Sequence, residues 1–131
     1  MMPIMLGVAL AVVIAASARW MQFDRDRSFY PTVLIVIASY YLLFACMAGQ
    51  AVFEEALVAL AFTAAALLAA FYWPLGVGVG IALHGVFDIL HDGLIDNPGV
   101  PIWWPAFCAA VDLTLGAWLV VYSRRAPQSR Q

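Results

Sequence analysis

Apolar residues run along this chain in long blocks, broken only where polar residues and turn formers cluster. A helix that crosses roughly 30 Å of hydrocarbon needs about 20 residues. Five blocks approach that length, at 3–18, 31–48, 51–72, 74–92 and 102–122. The first ends at Arg19 and Trp20, before the polar stretch Gln22-Phe23-Asp24-Arg25-Asp26-Arg27-Ser28. Pro31 suits a first helical turn, where its missing N–H has no partner to lose. Gly49-Gln50 makes a short turn into the third block. The apolar run then passes through Trp73-Pro74 without a polar residue. The break belongs there, because proline disfavours helix in the residue before it and opens a helix readily. Asp96-Asn97-Pro98-Gly99 and Pro101 mark the loop before the fifth block. The pattern predicts an all-α fold: an integral membrane bundle of five transmembrane helices, forming a single transmembrane domain over 1–131 with no internal repeat.

Composition sharpens this reading. Of 131 residues, 66% are hydrophobic and 11% charged, whereas a water-soluble domain carries about a quarter charged residues. So few ions cannot cover a soluble surface, and the outer solvent must be lipid. The net charge of −2 argues against a nucleic-acid partner. Cys46 and Cys108 sit in apolar runs at no metal-finger or redox spacing, and read as buried thiols. The opening run lacks a basic segment before its apolar stretch, so it reads as a retained helix rather than a cleaved signal.

The arginines set the topology, since the chain has no lysine. Five crossings place Arg19, Arg25 and Arg27 on the same side as Arg124, Arg125 and Arg130; four crossings would divide them evenly. Basic residues favour the cytoplasm, so the N-terminus is expected outside and the C-terminus in the cytoplasm. The expected location is the cell membrane, and the alanine- and arginine-rich, lysine-free composition suits a bacterial inner membrane.

Ionisable residues inside a membrane are expensive and mark candidate function. Here they are Glu54 and Glu55 on the third helix, His84, Asp88, His91 and Asp92 on the fourth, and Asp112 on the fifth. At 3.6 residues per turn, the four on helix four project at about 0°, 40°, 340° and 80°, a single stripe. Gly76 and Gly80 continue that stripe as a packing face. Adjacent residues cannot both face inward, so only one of Glu54 and Glu55 is expected there. Asp112, near mid-helix, needs a histidine or a cation beside it. Topology brings the three acidic helices to one end, which predicts an intramembrane His/Asp/Glu pocket open to the non-cytoplasmic side.

Two imidazoles with carboxylates form an oxygen/nitrogen ligand set suited to Zn, Fe or Mn as a divalent ion. The expected metal ligands are His84, Asp88, His91 and Asp112, with Glu54, Glu55 and Asp112 as catalytic carboxylates. Helix-packing pairs are the alternative account of the same residues. Ser39, Tyr40 and Tyr41 read more readily as packing residues than as pocket hydroxyls.

The string HGVFDILHD followed by VPIWWPAFCAAVD resembles an uncharacterised family of short bacterial integral membrane proteins, over about Gly80 to Gly116. The resemblance implies no activity. It implies only that His84, Asp88, His91, Trp104, Pro105, Cys108 and Asp112 belong together. Three functions follow from the residues: a metal-dependent enzyme on a lipid-like small molecule, proton or metal-ion transport, or an accessory subunit of a membrane complex. Expected partners are membrane lipid, a hydrophobic small molecule or ion, and further copies or subunits.

Overall fold

Helix ends fall where the chain supplies breakers. A computed structural model describes residues 1–125, so Arg130 lies outside the described residues. The elements are α1 (Met2–Trp20), a 3₁₀ turn at Phe23–Arg25, α2 (Phe29–Ala48), α3 (Val52–Tyr72), α4 (Leu75–Leu94) and α5 (Trp104–Arg125). Gly49 closes α2 with φ 69°, the left-handed cap that glycine adopts without a Cβ penalty. Trp73 ends α3 in a non-helical conformation, and Pro74 starts α4. The fifth helix begins at Trp104 rather than Ile102, because Pro101 to Trp103 are used in a turn whose carbonyl at Pro101 accepts the Trp104 N–H.

Each of the five helices is long and apolar enough to cross a membrane, and the described residues contain no strand. This is a multi-pass membrane protein. Its outer surface carries side chains that only lipid would solvate, among them Leu43, Leu60, Phe71 and Ile89. Cys46 is part of that surface and is exposed, while Cys108 is buried. The expectation of two buried thiols therefore fails at Cys46, which stands on the lipid side of α2.

Burial identifies the central helix. Half of α4's most apolar window is buried (50%), against 22% for α1 and α3. It packs on α5 along its length and also touches α3 and α2. On the far side of α5 lies α1, whereas α2 pairs with α3. The molecule is thus a tight α1–α5–α4 layer joined through α4 to an α2–α3 hairpin. Gly116 permits the tight crossing: a methyl there would lie 2.6 Å from Ala82 N and 2.8 Å from Gly78 O. Small residues bring membrane helices together in this way.

The ends of α1 and α5 lie side by side, with the Arg19 guanidinium 4.8 Å above the Tyr122 ring. Arg19, Arg25, Arg27, Arg124 and Arg125 all belong to this arginine end. The interior between that end and mid-membrane is apolar, built from Leu34, Ala66, Val77, Ile81, Leu115 and Leu119. Beyond Ile81, toward the α4–α5 loop, the interior becomes polar. That division positions the site.

Candidate functional site

The stripe on α4 faces the bundle interior. His84, Asp88 and His91 are each no more than 1% exposed. Asp92, at the edge of the stripe, has its side chain 82% exposed. Two imidazole–carboxylate pairs result, one reaching α5 and the other α3.

The deeper pair joins α4 to α5. His84 Nδ1 lies 2.8 Å from Asp112 Oδ2 and 3.6 Å from Asp88 Oδ1. The Tyr41 hydroxyl of α2 donates to Asp88 Oδ1 at 2.8 Å. Asp112 thereby receives the partner that a mid-helix carboxylate requires. The outer pair joins α4 to α3, with His91 Nε2 2.7 Å from Glu55 Oε1. Asn97, in the α4–α5 loop, donates its amide to Glu55 Oε1 at 2.9 Å and to the Tyr41 carbonyl at 3.1 Å. Tyr41 connects the two, since its ring also stacks on His91 with centroids 4.0 Å apart.

Unpaired atoms concentrate here. His84 Nε2, Asp88 Oδ2 and Asp112 Oδ1 are buried without hydrogen-bond partners, as are Glu55 Oε2 and His91 Nδ1. Each orphaned group costs about 1–3 kcal/mol unless water or a ligand meets it. At the deeper pair the donor set suits a cation. Ligand atoms from His84, Asp88 and Asp112 lie within 4.8 Å of one another. Tetrahedral coordination with bonds of about 2.0–2.1 Å sets ligand atoms roughly 3.3 Å apart. The separations of 2.8 and 3.6 Å straddle that spacing, so the group has the size to hold an ion in place of the His84–Asp112 hydrogen bond.

Of the residues singled out in the sequence, the structure brings together His84, Asp88 and Asp112. His91 stands apart from this trio and pairs with Glu55. Glu54 joins neither pair; it is exposed, while Glu55 is 1% exposed. One step along a helix turns a side chain by about 100°, which sends Glu54 outward. Sequence reading missed Asn97, whose amide looked like one more turn residue, and set Tyr41 aside as packing. A signal for Tyr41 was present: Leu34, Ala38, Tyr41 and Ala45 recur at helical spacing and form the buried face of α2.

Access differs from the expected opening at the loop end. There the Asn97 loop covers the outer pair, and Gly99 packs against the Phe44 carbonyl. Instead, a groove of about 510 Å³ runs between α1, α2 and α5, within the roughly 300–1,000 Å³ of small-molecule sites. Its walls include Ile14, Phe29, Val33, Tyr40 and Phe107, and it reaches Asp112. The groove faces lipid along α1 and α2, because these helices do not pack on each other among the described residues.

Fold and site together define a helical membrane protein with a buried imidazole–carboxylate network. Compared with profiles of known protein families, with curated proteins and with solved structures, the chain matches none.

Proposed function

We propose that this protein is a metal-dependent enzyme of the cell membrane, acting on a lipid-like molecule at a divalent transition-metal centre held by His84, Asp88 and Asp112. The observation that carries this reading is the double role of Asp112. The same residue belongs to the ligand cluster and lines the lipid-facing groove. A polar centre joined to an apolar passage is the arrangement that a hydrophobic substrate needs. Zn, Fe or Mn with an open coordination position would supply Lewis acidity or an activated water there. The protein's own part is to fix the ligands: the Tyr41 hydroxyl orients Asp88, and α5 holds Asp112 against α4. In this reading Glu55 and His91 tie α3 to α4 behind the centre. Collected arginines put the arginine end in the cytoplasm and the N-terminus outside.

Elemental analysis of the purified protein in lipid nanodiscs tests the proposal. About one divalent metal per chain is expected, lost in His84→Ala and Asp112→Asn and retained in Glu54→Ala. Absence of metal from every preparation, including protein refilled with Zn, Fe or Mn, overturns it. Transport across the membrane is the poorer reading. A conducting path needs polar groups through to the arginine end, yet Leu34, Ile81 and Leu115 fill that part of the interior at no more than 1% exposure.

A further inference from the structure

A second cavity lies at the arginine end, away from the proposed centre and sharing no residue with it. It measures about 170 Å³ and is bordered by the starts of α2 and α4, the last turn of α5 and the loop between α1 and α2. Its floor is apolar, formed by Pro31, Val77 and Leu119, all buried. Val77 and Leu119 belong to the core that fills the bundle beneath, so the cavity stops there. On the order of six water volumes would fill it. That is room for a headgroup and not for an acyl chain.

The polar residues of this cavity carry both signs of charge. Asp24, Asp26 and Arg27 line it from the loop, and among the described residues none of the three forms an ion pair. Asp26 Oδ1 accepts the Ser28 N–H at 2.9 Å and its hydroxyl at 2.7 Å. These bonds, the backbone one foremost, hold the Asp26 carboxyl below its usual range, so it stays ionised. Tyr30 lines the same cavity and is only 8% exposed, yet its hydroxyl is buried without a hydrogen-bond partner. The ionisable groups whose charges reach that hydroxyl are Asp24 and Tyr122, both on the cavity wall, and Arg19. The orphaned phenol therefore stands on the cavity side of α2, where a ligand oxygen would meet it. Helix ends add to the pattern. α4 begins at the cavity and α5 ends there, which favours negative charge at the first and positive charge at the second.

Opposite charges in so small a space select a molecule that is itself a zwitterion. A simple anion would meet two carboxylates, and a simple cation would meet Arg27. We propose that this cavity binds the phosphoethanolamine group of a membrane lipid, with the phosphate at Arg27 and the Tyr30 hydroxyl and the primary ammonium at Asp24 and Asp26. A primary ammonium offers three N–H donors to the two carboxylates. A choline headgroup offers none, and a glycerol headgroup has no positive charge. Pro74 and Ser123 on the rim are exposed, so the cavity is open at the surface and the lipid's chains stay in the bilayer.

Native mass spectrometry of the detergent-solubilised protein tests this, with dioleoyl phosphatidylethanolamine, phosphatidylglycerol and phosphatidylcholine as probes. One phosphatidylethanolamine per chain is expected, held about tenfold more tightly than either other lipid. Free phosphoethanolamine should displace it, whereas ethanolamine or phosphate alone should not. Tyr30→Phe removes one hydrogen bond to a charged group and should weaken the lipid about tenfold; Arg27→Gln and Asp24→Asn should each erase the preference. Thermal unfolding separates binding from a merely structural role for the phenol. Without lipid, Tyr30→Phe should unfold at or above the parent's midpoint, because it discards a hydroxyl that no residue meets. The rise in midpoint that phosphatidylethanolamine gives the parent should be lost in Tyr30→Phe and kept in Glu54→Ala, at the other end of the bundle. Equal binding of the three lipids, or a preference that Tyr30→Phe and Arg27→Gln both leave intact, overturns the proposal. Displacement by ethanolamine or phosphate alone overturns the zwitterion, and binding of free phosphoethanolamine without the lipid overturns the lipid as its source.

Discussion

The two imidazole–carboxylate pairs on α4 have the same components and opposite surroundings. His91 and Glu55 are held by a third residue, because Asn97 donates to Glu55 and its loop covers the pair. His84 and Asp112 have a second carboxylate instead, Asp88, and the lipid-facing groove reaches Asp112. An amide beside a carboxylate satisfies one of its oxygens, as Asn97 does for Glu55 Oε1; another carboxylate beside it creates demand for positive charge. The outer pair is therefore a fastening between α3 and α4. The deeper one is the centre to which the proposed function assigns the metal.

The comparison breaks most visibly if the outer pair is cut. Glu55→Ala leaves His91 and Asn97 facing an apolar gap, and losing one member of a buried pair costs about 3–5 kcal/mol. A denaturation midpoint in detergent should fall accordingly, while metal content per folded chain stays unchanged. At the deeper pair, Asp112→Asn should do the reverse. Metal affinity is expected to fall more than about 100-fold, beyond what loss of an outer-shell partner causes, as read by competition with a chelator dye. If both substitutions acted only on stability, the two pairs would be equivalent and the contrast would be gone.

Smaller changes sharpen the contrast. Asn97→Ala removes the amide that donates to Glu55 Oε1 and should destabilise by about 1–3 kcal/mol, with faster hydrogen exchange at the start of α3. Tyr41→Phe keeps the stack on His91 but strips the hydroxyl from Asp88. It should weaken metal binding by about tenfold and change stability by about 1 kcal/mol. Glu54→Ala serves as the reference, since an exposed side chain away from both pairs should stay within about 0.5 kcal/mol of the parent.

What could be read from the chain alone divides along physical lines. The helix count and the break at Trp73-Pro74 were legible, because hydrocarbon thickness and proline geometry act locally. The inward stripe His84, Asp88, His91 followed from helical periodicity. Which acid met which imidazole did not follow, because pairing depends on how α3 and α5 rotate against α4. That rotation is set by close approaches such as Gly116 on Ala82. The groove was also hidden, since it arises where α1 and α2, neighbours in sequence, fail to pack. Asn97 was masked by its own neighbours: Pro98 and Gly99 explain a turn so well that a third purpose for the amide leaves no trace.

The Glu55–His91 contact spans 36 positions of chain, and that separation bears on how the protein is made. When Glu55 is added to the growing chain, the imidazole that will pair with it is still to be synthesised. At about 5–20 residues per second, the wait is roughly 2–7 s. A chain stopped after α3 never acquires that imidazole, and so lacks the tie that fastens α3 to α4.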